Sequence, residues 1–201
     1  MKNAGTMIAA TVGLLVGGIA GADIKGSMHD FSSQAWTGGQ VCETCHTPHN
    51  TRTAQTPLWN HAATSANFGT YSSPTLKASG GQPSGASKAC LSCHDGTVAV
   101  DSFGTRTGSA VMTGPDLIGT DLSRDHPVSI MYDSALATLD RGLRDPATSP
   151  SGLGGTIAAD LLFDGRIECA TCHDVHDTGG QSFLLRKNNA GSALCLTCHE
   201  K

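Results

Sequence analysis

Residues 42–50 read CETCHTPHN, which places two cysteines and two histidines within a few residues of each other. The first part, Cys42, Cys45 and His46, has the form C-x-x-C-H, and three further copies follow at 90–94, 169–173 and 195–199. The four copies use all eight cysteines of the chain. Only nine of the 201 residues are histidine, so a histidine directly after every pair has a chance of order a few in a million. The histidine is therefore part of the motif.

C-x-x-C-H is the sequence that attaches c-type haem. Residues i and i+3 of a helical turn share one face, so both thiols reach the vinyl groups on one porphyrin edge. The next residue then brings its imidazole to the iron. The sequence predicts four covalently attached haem c groups. Their attachment residues are Cys42, Cys45, Cys90, Cys93, Cys169, Cys172, Cys195 and Cys198, and their proximal iron ligands are His46, His94, His173 and His199.

Three other uses of paired cysteines explain the pattern less well. Disulfides suit an exported protein but need no histidine after each pair. Zinc sites combine two C-x-x-C pairs and would likewise leave the four histidines without a role. A thioredoxin-like redox motif would need one pair beside a strand and a helix, not four pairs in glycine-rich sequence.

The composition also favours haem as the source of the core. Aromatic residues make up 4% of the chain, whereas 25 residues are glycine. A chain with so few large apolar side chains builds a core only with help, and a porphyrin is a large apolar plate. The predicted fold is a coil-rich multihaem cytochrome c with a few short helices and a core built from four stacked haems.

The N-terminus predicts export. Residues 1–22 combine an early lysine, a short apolar run and the small residues AGA, which is typical of a secretory signal peptide. The apolar run is shorter than the ~20 residues that a spanning helix needs, which argues against an anchor. We therefore predict a tetrahaem domain at 23–201, without a membrane span and in the periplasm or outside the cell. Nucleic acid is not an expected partner.

Regular secondary structure is expected to be sparse. The segments 64–87, 104–121 and 145–156 are low in complexity and are predicted to be coil. Apolar residues at helical spacing predict a helix over 132–143, with Asp133 as its cap. Alternating Val128, Ile130 and Tyr132 predict a short strand. A further helix is predicted over 189–200, where it would carry the last motif.

The histidines outside the motifs supply the sixth iron ligands. There are five of them for four irons: His29, His49, His61, His126 and His176. Met28, Met112 and Met131 could compete, but the surplus of histidines favours bis-histidine ligation, which gives low-spin, low-potential haems. His126 precedes a proline and should project from extended chain. Asp30 is predicted to hold the ring of His29. His61 lacks such support and is ranked as the spare.

The segment C-H-x-x-H occurs at 45–49 and again at 172–176. Residues three apart on a helical turn lie on the same side, whereas the axial ligands of one iron approach from opposite porphyrin faces. His49 therefore cannot share an iron with His46 and must reach a neighbouring haem. His176 is in the same position relative to His173, and we expect it to find a neighbouring haem in its own chain, because another attachment site follows at Cys195. The alternative is that each second histidine is an ordinary surface residue.

Full ligation argues for electron transfer rather than catalysis. A reductase needs an open iron site, and this chain supplies a histidine for every iron. A haem-bearing sensor would need a signalling domain, and none is visible in the sequence. The expected role is therefore an electron carrier.

Seven stretches carry a resemblance to a known family: MHDFSSQ (28–34), VCETCHTPHN (41–50), PLWNH (57–61), CLSCHDGTVAVDSF (90–103), RDHPVSIMYD (124–133), CHDVHD (172–177) and FLLRKNNAGSALCLTCHEK (183–201). They resemble the multihaem cytochromes with doubled C-x-x-C-H motifs, and among them the OmcE-type extracellular cytochromes that polymerise into nanowires. The resemblance implies a continuous haem stack in a head-to-tail filament of identical subunits, which passes electrons to redox partner proteins or extracellular acceptors. It also implies that His49 binds a haem of the adjoining subunit. Soluble periplasmic tetrahaem carriers share many of these motifs and remain the alternative, in which His61 would supply the missing ligand within the chain.

Overall fold

The computed structural model of this chain describes residues 24–52 and 56–200. The signal peptide predicted at 1–22 lies outside the described residues. Five α-helices are present in the described part: α1 (Gly85–His94), α2 (Ser134–Leu139), α3 (Ile157–Asp160), α4 (Cys169–Cys172) and α5 (Cys195–Cys198). Single 3₁₀ turns lie at Ala35–Thr37, Ser182–Leu184 and Ala190–Ser192. Coil joins these short elements, so the predicted coil-rich fold with few short helices is confirmed.

The only sheet among the described residues has two short strands, β1 (Ile130–Met131) and β2 (Arg166–Ile167). They are antiparallel, and Ile130 pairs with Ile167. The strand predicted around residues 128–132 is thus present, although shorter than the alternating pattern suggested. The segments 104–121 and 145–156 contain neither helix nor strand, whereas α1 begins inside the segment 64–87 that was predicted to be coil.

The helix predicted over 132–143 is wrong at its C-terminal end, because α2 stops at Leu139. Its start agrees with the prediction: the Asp133 side chain accepts a hydrogen bond from the N–H of Leu136 at 2.8 Å. Asp140 then adopts extended backbone, and its carboxylate accepts from the N–H of Gly142 at 3.1 Å. This local turn competes with the helix and ends it.

The continuous helix predicted over 189–200 is also wrong. Gly191 and Ser192 adopt left-handed backbone with φ of 60° and 64°, which is incompatible with a continuing helix. The Asn189 side chain accepts from the N–H of Leu194 at 3.0 Å and rounds off this turn. In this segment, only the last motif forms an α-helix, α5, and a single 3₁₀ turn precedes it.

The side-chain core is small and divided. The larger of two clusters joins β1, β2, α2 and α3; its buried members are Ile130, Tyr132, Ala137, Ile157, Leu161 and Ile167. The second contains Phe68, Leu91 and Leu122. Within residues 24–52 and 56–200, no helix is long and apolar enough to cross a membrane.

Candidate functional site

All four C-x-x-C-H motifs fold as a single helical turn. The second motif forms the last five residues of α1, and in the other three motifs the N–H of the histidine donates to the carbonyl of the first cysteine. These bonds are His46 to Cys42 (2.8 Å), His173 to Cys169 (3.1 Å) and His199 to Cys195 (3.0 Å). Both cysteines of each pair therefore lie on one side of their turn, as attachment to one porphyrin edge requires.

A distant segment of chain pairs with three of the motif histidines. The antiparallel bridges are His46 with Trp59, His173 with Leu185, and His199 with Leu143. In each bridge, the residue after the partner donates its N–H to the carbonyl of the motif's second cysteine, at 2.8–2.9 Å. The repeated bridge fixes each attachment turn against the rest of the fold. Nothing in the motif spacing predicts these partners.

The rings of three motif histidines are oriented by backbone carbonyls. Nδ1 lies 3.0 Å from the carbonyl oxygen of Pro57 for His46, 2.8 Å from that of Asp116 for His94, and 3.0 Å from that of Phe183 for His173. A carbonyl only accepts, so Nδ1 carries the proton and donates. The lone pair of Nε2 is then free for iron, which is the usual arrangement for a ligating histidine.

Three histidines outside the motifs each lie opposite one motif histidine. The ring centroids are 6.0 Å apart for His29 and His94, 6.1 Å for His176 and His46, and 6.2 Å for His126 and His199. An imidazole nitrogen binds a first-row metal at about 2.0 Å and lies about 1.1–1.2 Å from its ring centroid, so two imidazoles on opposite sides of one ion have centroids roughly 6.3 Å apart. The three pairs fit a bis-histidine iron.

Directly packed aromatic rings span a similar range of distances, about 4.5–7 Å. Direct packing does not, however, require that each pair join one motif histidine to one other histidine. All three histidine pairs in the described part of the chain follow that rule. The pairing therefore supports iron coordination over ordinary ring packing.

The surroundings of His29 and His176 differ. The expectation that Asp30 holds the ring of His29 is wrong: its carboxylate accepts from the N–H groups of Gly26 and Ser32, and Nδ1 of His29 is buried without a partner. Burial, followed by the nearby His94, lowers the pKa of His29 below its ordinary value. That favours the neutral ring an iron needs. For His176, Nδ1 lies 3.6 Å from a carboxylate oxygen of Asp174. Its ring lies opposite that of His46 in the first motif, not beside the last motif at Cys195 where its neighbour was expected.

The fourth motif histidine, His173, is exposed and has no histidine ring opposite it among the described residues. The two remaining histidines are His49 and His61. His49 is exposed, and its Nδ1 lies 3.0 Å from the amide nitrogen of Asn50. Within the described part of the chain, the ring of His49 is not paired with that of any motif histidine. Three motif histidines thus have a second histidine ring opposite them within the described part of the chain, and the fourth has none.

His61 lies in a different environment. It is 1% exposed and packs beside Trp59, with ring centroids 6.2 Å apart. Its Nδ1 is 2.8 Å from the carbonyl oxygen of Ala62 and its Nε2 is 3.0 Å from that of Ala99. Both nitrogens therefore already face backbone acceptors, which leaves neither directed at an iron.

The eight cysteines are all free, so they form no disulfides. Burial raises the pKa of Cys45 to about 11, of Cys93 to about 12 and of Cys198 to about 11. These three buried thiols are therefore poor nucleophiles and poor redox centres. In the described residues, no three His, Cys, Asp or Glu side chains converge as a metal cluster of the zinc type would require.

Attachment turns, oriented imidazoles and imidazole pairs are the features of c-type cytochromes that carry several haems. Residues 163–201, which contain the third and fourth motifs, match the family model described as the doubled CXXCH motif. This match supports a multihaem c-type cytochrome with covalently attached haem. Proteins of this class are typically exported and carry electrons. Comparison with curated protein sequences gives no significant match.

Proposed function

We propose that this chain conducts electrons through four bis-histidine haems and is the subunit of an extracellular filament. The observation that carries the proposal is the unequal supply of ligands. Three motif histidines each have a second histidine about 6 Å away in the same chain, whereas His173 has none among the described residues. One histidine, His49, is exposed and is not paired with a motif histidine in its own chain.

The assigned ligand pairs are His29 with His94, His176 with His46, and His126 with His199. In each pair the chain holds two imidazoles at a separation that an iron fits. When bound, haem supplies the redox-active iron and the conjugated ring through which an electron passes. The chain's own contribution is spacing, orientation and ligand choice. Two nitrogen ligands and no thioether favour low potentials.

One of these pairs also brings two haems together. His173 and His176 lie three residues apart, yet His176 faces His46 and not His173. The turn at 172–177 therefore contributes ligands to two different irons. The haem attached at Cys169 and Cys172 must lie beside the haem attached at Cys42 and Cys45. Such contacts are what a continuous electron path needs.

His49 must likewise serve an iron other than that of His46, because His176 already lies opposite His46. The iron at His173 is the one that lacks a partner. We assign His49 of one subunit to the His173 iron of the next subunit. The contact joins two different faces of identical chains, so it is head-to-tail and propagates without closing. Filament growth then follows from a coordinate bond.

His61 is the competing donor, and its surroundings argue against it. A ring that is 1% exposed, with both nitrogens at hydrogen-bond distance from carbonyl oxygens, would have to leave its site to reach an iron. If it did so, all four irons would be complete within one chain. The protein would then be a soluble periplasmic carrier.

The experiment compares His49→Ala with His61→Ala in the exported holoprotein. His49→Ala should abolish filaments in electron micrographs and leave one haem of the four high-spin, because the His173 iron loses its ligand. His61→Ala is the matched control and should keep both filaments and low-spin spectra. Filaments that persist in His49→Ala, or a wild-type monomer with four low-spin haems, would establish the soluble carrier instead.

A further inference from the structure

A buried carboxylate lies between α1 and α4, the helices that contain the second and third motifs. Glu168 is 2% exposed and precedes α4 as its N-cap residue. Its Oε2 accepts from the backbone N–H of Ser87 at 3.1 Å and from the hydroxyl of Ser129 at 3.0 Å. The N–H of Thr171 donates to the backbone carbonyl of Glu168 at 2.9 Å, and the hydroxyl of Thr171 accepts from the N–H of Glu168 at 2.9 Å. None of the ion pairs in the described part of the chain includes Glu168.

Ser87 completes a reciprocal exchange between the two helices. Ser87 is fully buried in the first turn of α1, and its hydroxyl accepts from the N–H of Cys169 at 2.9 Å. Each helix therefore satisfies a free N–H in the first turn of the other. We call Ser87, Ser129 and Glu168 the helix lock. The two helices it joins hold Cys90 and Cys93 on one side, and Cys169 and Cys172 on the other.

The local backbone is shaped to admit this carboxylate. Gly85 has a φ of 49°, and a Cβ there would lie 3.3 Å from Oε1 of Glu168. Ser129 has a φ of 57°, and its Oγ accepts from the N–H of Ser84 at 2.9 Å while donating to Glu168. Positive φ is costly for a serine. Gly85 and Ser129 thus both have positive φ where the chain contacts the carboxylate of Glu168.

We propose that Glu168 is a positioning residue for electron transfer, because the helix lock fixes the spacing between the haem of Cys90 and Cys93 and the haem of Cys169 and Cys172. A haem bound by two thioether bonds follows the helical turn that carries it. α1 and α4 pack directly against each other through the hydrogen bonds of the helix lock, so the two attachment turns lie side by side. The inference rests on haem attachment at these two motifs and not on filament assembly.

The test uses the exported holoprotein and the variants Glu168→Ala, Glu168→Gln and Ser87→Ala. Asp133→Ala is the matched control, since it removes an equivalent cap from α2, which carries no motif. Intact mass reports haem attachment separately from geometry. Circular dichroism in the Soret band reports the relative orientation of neighbouring haems, and pulse reduction reports how fast an electron redistributes among them.

With four haems attached, Glu168→Ala and Ser87→Ala should reduce the Soret couplet and slow electron redistribution. Glu168→Gln keeps one acceptor oxygen and should restore most of both signals. Asp133→Ala should lower the thermal midpoint but leave couplet and rate unchanged. An unchanged couplet and rate in Ser87→Ala and Glu168→Ala overturns the proposal. If Glu168→Ala does not mature, Ser87→Ala alone tests the proposal: a smaller couplet and slower redistribution support it, and unchanged values overturn it.

Discussion

His126→Ala and His61→Ala should produce opposite combinations of spectral and stability change. The ring of His126 faces that of His199 at 6.2 Å, and its side chain is exposed. Removing it should leave the His199 iron five-coordinate, so one haem of the four becomes high-spin. An exposed side chain leaves no cavity, and its loss costs no more than about 0.5 kcal/mol apart from the lost iron bond.

His61→Ala should leave every haem low-spin and destabilise the protein instead. The ring is 1% exposed and both nitrogens lie beside carbonyl oxygens. Truncation creates a cavity and removes a donor from a buried acceptor, which together cost roughly 2–4 kcal/mol. Burial also lowers the pKa of His61, so its contribution to the free energy of unfolding should decline as pH falls below its ordinary value of 6.5.

The assay is quantitative electron paramagnetic resonance of the oxidised proteins, together with carbon monoxide binding after reduction and chemical unfolding. We expect a high-spin signal and carbon monoxide binding at one haem in His126→Ala only. A high-spin haem in His61→Ala would refute the assignment of His61 as a structural residue. An entirely low-spin His126→Ala would refute its assignment as a ligand.

Three further predictions follow from the structure. Ile157→Ala should lower the free energy of unfolding by about 2–5 kcal/mol, because Ile157 is 0% exposed; Leu139→Ala, at a position 65% exposed, should change it by less than about 0.5 kcal/mol. Lys187 donates to Ser151 and to Thr197 of the last motif, both at 2.9 Å. Lys187→Met should therefore lower the potential of one haem by tens of millivolts, about the effect of a partly exposed charge about 10 Å away, and a potentiometric titration without that shift would contradict this. Intact mass should give four haems on a chain beginning near residue 23, and three or none would contradict the motif assignment.

The parts of the site that depend on local geometry could be predicted from the sequence. The spacing of C-x-x-C-H predicts a helical turn, and each motif has one. Asp133 caps α2 because a carboxylate directly before a helix can accept from a free N–H of the first turn, which depends on local geometry alone.

The contacts that orient the rings could not be predicted, because they come from distant chain. The carbonyl that binds the ring of His94 belongs to Asp116, in a segment whose low complexity gave no structural signal. The expected Asp30 contact with His29 failed for a related reason: the carboxylate satisfied two nearby N–H groups first. Local competition of this kind also ended the helix predicted over 132–143.

We propose above that His49 of one subunit completes the iron at His173 of another. The most direct measurement is a cryo-electron microscopy map of the wild-type material exported by the cell. We expect filaments in which continuous density joins the imidazole of His49 to the iron of the haem attached at Cys169 and Cys172 in the adjoining subunit. Density that instead joins this iron to His61 or His49 of its own chain would contradict the account.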